Sequence, residues 1–138
     1  MKKKFEFLEH TADIKFRAFG KSIKEVFENS ALALFNILYD KKVKERKSYK
    51  IKARGNDFES LLYNFLEEFL ILLDSKNFLP DRIKNLKLNE KKLRIEAEVV
   101  GDNAKNYIIN EHIKAITYNE MFVKKDKNKW TNQVVVDV

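Results

Sequence analysis

Cysteine is missing from the 138 residues. Its absence removes disulfides and every zinc site built on thiolates. Imidazole is scarce as well, with His10 and His112 the only two. Three glycines are too few for a glycine-rich phosphate loop, and no such motif occurs. Long apolar runs are lacking too. Even LLYNFLEEFLILL is broken by Glu67 and Glu68, so no membrane span is expected. The start, Met1 followed by Lys2, Lys3 and Lys4, has the charge that opens a signal peptide, but Glu6, Glu9 and His10 interrupt any apolar region behind it. These absences predict a cytoplasmic protein without membrane contact.

What is present points to one core. Apolar residues make up 44% of the chain and include 11 Phe, enough for a single domain over 1–138 but hardly for two independent cores. The 28 Lys and Arg exceed the 21 Asp and Glu, and the net charge of +7 favours contact with polyanions such as RNA. No single segment concentrates that charge. A Lys- and Glu-rich surface also fits an AT-rich or thermophilic composition.

The apolar period switches between two and 3.6 along the chain. Phe5 and Phe7 start an extended segment, and Ile14, Phe16 and Ala18 then alternate with Lys15, Arg17 and Phe19 until Gly20. Ser22 and Glu25 read as a capping box for a helix running to Tyr39, with Ile23, Val26, Phe27, Ala31, Leu34 and Leu38 on one face. The chain alternates again from Lys47 to Arg54. A second capping box, Asn56 to Glu59, opens a longer helix through Leu73 whose apolar surface is too wide for an exposed helix. After Leu79-Pro80-Asp81 come two strands around Asn89 and Glu90, the second spanning Leu93 to Val99. Strands near Tyr118 to Lys125 and Lys129 to Asp137 follow, with Asp126 to Asn128 as their turn.

The order strand, helix, strand, strand thus occurs twice. The pattern predicts an α+β fold of two interleaved modules, with helices packed on mainly antiparallel sheet. An inner module of about 47–100 is inserted in an outer one of about 5–40 plus 112–138. This interleaving would place the first and last strands in one module and let Asp13 meet Asp137.

Three motifs carry a resemblance: His10-Thr11-Ala12-Asp13 after an aromatic strand, the run from Ile113 through Lys114 and Ala115 to Tyr118, and the ending Val134-Val135-Val136-Asp137-Val138. Together they resemble the archease family over essentially the whole chain. The resemblance implies two interleaved strand-helix-strand-strand modules and an accessory protein rather than a free-standing enzyme. Archeases activate the tRNA-splicing RNA ligase of the RtcB type, promoting guanylylation of the ligase active-site histidine and restoring its turnover. It further implies a divalent ion on the acids matching Asp13 and Asp137 and on the terminal carboxylate of Val138, and a requirement for Lys114 in activation. Family members often carry Asp where Glu9 stands and His where Asn119 stands, so neither residue is assigned a role.

The residues themselves admit plainer readings. Asp13 before a strand fits an Asx turn, and Lys114 fits a solvated lysine. A carboxylate beside a chain terminus ordinarily frays into solvent, yet Asp137 follows an apolar run that a sheet would lock. If Asp13, Asp137 and Val138 converge, each pair of like charges about 4 Å apart costs on the order of 4 kcal/mol at an effective dielectric near 20. Raised pKa values or a hard cation would relieve that repulsion, Ca²⁺ first, with Mg²⁺ or Mn²⁺ as alternatives. His10 is expected to be structural, and Trp130 and the Phe-rich helix faces to be core. The leading reading is a metal-binding activator of an RNA ligase, without catalytic residues of its own, touching tRNA through the ligase complex. The alternatives are a metal-dependent phosphoester hydrolase, for which no general base or second acidic cluster is evident, and a basic RNA-binding module, for which no RRM or KH pattern exists.

Overall fold

The helix starts explain how the chain is punctuated. In the computed structural model, which describes residues 3–138 and so leaves Met1 and Lys2 of the basic start outside, Ser22 Oγ accepts the Glu25 N–H at 3.1 Å. The Glu25 carboxylate accepts the Lys21 N–H rather than that of Ser22. The second cap lies one residue later than the sequence pattern predicts. Asp57 accepts the Ser60 N–H at 2.7 Å, and Ser60 Oγ accepts the Asp57 N–H at 3.2 Å. Glu59 is released from capping and accepts the Val123 N–H, which ties the helix to a distant strand.

The described residues form, in order, β1 (Phe5–Leu8), β2 (Asp13–Gly20), α1 (Ile23–Leu38), β3 (Lys47–Arg54), α2 (Phe58–Lys76), β4 (Phe78–Asn89), β5 (Arg94–Asn103), a short 3-10 turn (Ala104–Asn106), β6 (Ala115–Asp126) and β7 (Lys129–Asp137). The fold is α+β. Strands β1-β2-β7-β6 form one antiparallel sheet, and β3-β5-β4 the other. Among these residues no helix is long and apolar enough to cross a membrane.

Each helix touches both sheets: α1 packs on β2 and β4, α2 on β6 and β3. The core between them is aromatic. Phe27 meets Phe65, Phe35 meets Phe69, and Phe65 meets Phe69 edge-on with centroids 5.1 Å apart, all four buried. Trp130 is only half-buried, packed edge-on against Phe58. The scarce glycines serve close approach rather than turns, for none has a positive φ. A Cβ on Gly20 would fall 2.5 Å from the Val26 nitrogen, so only glycine lets the end of β2 run against α1.

Several boundaries differ from the sequence expectation, each for a local reason. Strand β4 begins at Phe78 and contains Pro80, which a ladder tolerates here because the register slips between Pro80 and Arg82. Leu93 adopts a left-handed φ of 52° and belongs to the turn, so β5 starts at Arg94. Strand β6 starts at Ala115, before Tyr118, and α2 continues to Lys76 before the left-handed Asn77 ends it.

Candidate functional site

The site predicted from the acids lies where β2 begins and β7 ends. Asp13 is the first residue of β2 and the register partner of Asp137, whose other neighbour is Ala115 at the start of β6. Residues directly opposed in an antiparallel ladder project to the same face. Phe16, Ala18, Val134 and Val136 fill the inner face of this sheet, so Asp13 and Asp137 share the outer one with Lys15, Arg17 and Gln133. Asp13 is the first β2 residue rather than a turn residue ahead of it. Its side chain is 29% exposed. Ala12, immediately before it, carries a left-handed φ of 66°, a conformation that costs an alanine roughly 1–2 kcal/mol.

Three further side chains brace this face. His10 Nε2 lies 2.9 Å from Glu120 Oε2, and Lys15 Nζ lies 3.1 Å from Glu120 Oε1. An ionised carboxylate only accepts, so the proton sits on Nε2 and the ring donates to Glu120. Those two donors hold the Glu120 carboxyl below its ordinary range. The other ring nitrogen, Nδ1, is buried without a hydrogen-bond partner and lies 3.6 Å from Asp13 Oδ2. His10 therefore links a residue 110 positions away to the carboxylate of Asp13. Glu120 escaped the sequence reading because no local pattern marks it. It sits at φ 55°, inside the irregular part of β6 where the register shifts between Thr117 and Phe122.

The remaining expected residues are placed differently. Lys114 lies just before β6 rather than on a strand, and its backbone N–H donates to the Asp137 carbonyl at 2.7 Å. Lys114 lines a separate cleft of about 390 Å³ with Asp74 and His112, and among the described residues it forms no ion pair with Asp13 or Asp137. Val138 packs against the main core. Glu9 lines a cleft of about 910 Å³ together with Asp13, Asp40 and Glu111. Asn119 is exposed on β6. Among the described residues no three His, Asp or Glu side chains gather closely enough to hold a metal ion. The local donor chemistry is nonetheless all-oxygen, two half-buried carboxylates on one face of the sheet, and suits a hard divalent cation better than a soft one.

Comparison with known proteins places this architecture. Residues 5–138 match the family model described as the Archease protein family (MTH1598/TM1083). The chain is similar to the protein archease of Methanosarcina barkeri, 40% identical with 99% of this chain and 97% of that protein covered. It is also similar to that of Sulfurisphaera tokodaii, 37% identical with 98% and 99% covered. The solution structure of Methanobacterium thermoautotrophicum protein 1598 superposes with a TM-score of 0.84 at 29% identity, covering 98% of this chain and 99% of that one. A Thermotoga maritima structure described as an archease, possible chaperone, shares the fold at a TM-score of 0.61 and 24% identity. These relatives are named as archeases or a possible chaperone, and none of the names states a catalytic activity. With the family model spanning nearly the whole sequence, the chain belongs to the archease family.

Proposed function

We propose that this protein is a metal-binding accessory protein that activates an RNA ligase of the RtcB type, promoting guanylylation of the ligase active-site histidine and its multiple turnover. The observation that carries the reading is the register pairing of Asp13 with Asp137 on an outer face at the end of the sheet. Directly opposed positions hold their Cβ atoms roughly 4.5–5.5 Å apart, so the two carboxylates repel unless a cation lies between them. Asp13 and Asp137 would hold that cation, with the main-chain carboxylate of Val138 as a third oxygen source. Ca²⁺ fits such donors, as do Mg²⁺ and Mn²⁺ with more of their water retained. When bound, the ion supplies positive charge and an ordered set of oxygens at the surface offered to the ligase.

The chain's own residues do the positioning. The Glu120–His10 bond fixes the imidazole beside Asp13, with Nδ1 3.6 Å from the Asp13 carboxylate and no hydrogen bond between them. The hydrogen bond from Lys114 to the Asp137 carbonyl holds β7 against the start of β6. The exposed Lys114 ammonium is available to the ligase or to a phosphate. In this reading the protein acts on another enzyme rather than on substrate, within the cytoplasm and through a ligase that carries the tRNA.

The test is multiple-turnover ligation by the cognate ligase, with Ca²⁺ binding by calorimetry. Asp13→Asn and Asp137→Asn are expected to reduce activation at least 100-fold and weaken Ca²⁺ binding, while thermal unfolding stays cooperative. Lys114→Ala lowers activation with Ca²⁺ affinity unchanged, since an ammonium has no lone pair for a metal. One glycine appended after Val138 weakens Ca²⁺ binding by replacing a charged donor with a peptide carbonyl. Full activation by both aspartate variants overturns the reading, and so does hydrolysis of phosphodiesters by the protein alone.

A further inference from the structure

The outer face of the three-stranded sheet holds a concentration of positive charge that no single segment of the sequence reveals. Register assembles it. Lys50, Glu98 and Lys84 form one row across β3, β5 and β4, and Lys52, Glu96 and Lys87 form the next, each with one acid between two lysines and a net charge of +1. In the third row Arg54 directly opposes Arg94, flanked by Asn89, and the net charge is +2. The Asn89–Lys92 turn adds Lys91, offset by Glu90, at this end, where a cleft of about 890 Å³ lined by both opens.

The cations of these rows form no ion pair at contact distance among the described residues. Among the described residues none of Lys52, Arg54, Lys87, Lys91 and Arg94 is within ion-pair distance of a carboxylate, and all five are exposed. Like charges directly opposed on a sheet are destabilising. The Arg54–Arg94 pair is thus a cost to the fold that an external anion would convert into binding energy. Three rows extend about 14 Å along the strands and three strands about 10 Å across them, so the array spans several successive phosphates of a nucleic-acid strand.

The face also excludes other polyanion readers. No aromatic side chain lies in the three rows, so there is no platform on which unpaired bases stack. The apolar anchors that a membrane-surface site needs are absent as well, for the exposed large apolar residues Phe7, Ile71, Ile108 and Tyr118 all lie elsewhere. Backbone-only contact with a duplex uses the charges that are present and nothing that is missing.

We propose that the outer face of the three-stranded sheet binds the phosphate backbone of a double-helical RNA. Only the choice of RNA over DNA rests on the proposed function. The site itself lies on the opposite sheet from Asp13 and Asp137.

The experiment measures fluorescence anisotropy of a labelled RNA duplex of about 16 base pairs titrated with the full chain, without ligase, over a salt series. The Lys52→Gln/Arg54→Gln/Arg94→Gln variant is expected to lose about tenfold or more in affinity, and its slope of log affinity against log salt is expected to flatten by about 3. A control with the same charge change at the β6–β7 hairpin, Lys124→Gln/Lys125→Gln/Lys129→Gln, should retain more than half the affinity. Removing acids instead, as Glu96→Gln/Glu98→Gln, should tighten binding. The proposal is overturned if the two triple variants lose equally. It is overturned also if polyglutamate, a DNA duplex, or phosphatidylserine vesicles bind more tightly than the RNA duplex. Because no ligase is present, a negative result leaves the activation reading standing, and failed activation leaves RNA binding intact.

Discussion

The outer faces of the two sheets carry charge in opposite ways. On the four-stranded sheet the polar side chains are bonded to one another: Glu120 takes His10 and Lys15, and Arg17 donates to the neutral amide of Gln133 at 2.8 Å. On the three-stranded sheet the rows of lysine and arginine lack such partners at bonding distance. The first arrangement fixes side-chain positions and leaves little field. The second fixes little and leaves a field that reaches solvent. A network of the first kind suits a site that must hold two carboxylates at a set geometry. An array of the second kind suits a partner recognised through its summed charge.

Both faces depend on one aromatic core, so the largest effect comes from breaking that. Phe65 is fully buried, touches Phe27 and Phe69, and belongs to a helix that contacts both sheets. Phe65→Ala is expected to cost about 3–5 kcal/mol and to lower ligase activation and RNA affinity together at the temperature where unfolding begins. Chemical denaturation with both binding assays checks this. If one function is lost well before the other, the two faces do not share a cooperative core.

A middle-sized effect separates the bonded face from the rest. The Glu120 carboxyl is held below its ordinary range by the hydrogen bond from His10 and then that from Lys15. A carboxylate whose folded pKa is depressed contributes stability that is present above its unfolded value and lost as pH falls through the folded value. Glu120→Gln is therefore expected to lower Tm slightly at pH 7, with the gap to the unmodified protein closing as pH drops below the ordinary carboxylate range. Activation should fall several-fold, since the charge-assisted bond that fixes His10 beside Asp13 is weakened. Thermal melts from pH 7 to pH 3 supply the check, and a gap that widens on acidification would contradict the assigned sign.

How much of this was legible in the sequence depended on whether the controlling contact was local. The α1 cap at Ser22 and the helix face through Leu34 follow from spacings of three and four residues, and the structure has them. The second cap lies at Asp57 rather than Asn56, closed by Ser60, while Glu59 accepts the N–H of Val123, 64 positions away. Alternation found the strands but not their irregularities at Pro80, Asn85 and Glu120, where left-handed backbone or a register slip breaks the period. The joining of Asp13 to Asp137 could be anticipated from module order. The Glu120 brace could not, since nothing near Glu120 distinguishes it from a surface glutamate. The basic face was invisible for a different reason: β3, β4 and β5 each carry part of the charge, and only register lays those parts side by side.

The smallest effect is the sharpest discriminator between the faces, because it is a change of sign. Removing a bonded cation from the four-stranded sheet, as in Lys15→Gln, takes away a favourable partner of Glu120 and should lower stability. Arg94 faces Arg54 directly, with Asn89 on its other side, so Arg94→Gln removes a repulsion and no attraction at bonding distance. That change should raise stability, by roughly 0.2–1 kcal/mol for a directly opposed pair. Salt provides the control. Both interactions lie near the surface and are screened as the Debye length falls from about 10 Å at 0.1 M to about 3 Å at 1 M. The loss in Lys15→Gln and the gain in Arg94→Gln should thus both shrink toward zero in 1 M salt, approaching it from opposite sides. Urea unfolding at the two salt concentrations reads this directly. A destabilised Arg94→Gln at low salt would mean that Arg94 is held by an attraction within the sheet, and the contrast between a bonded face and an unpaired one would fail at its most charged row.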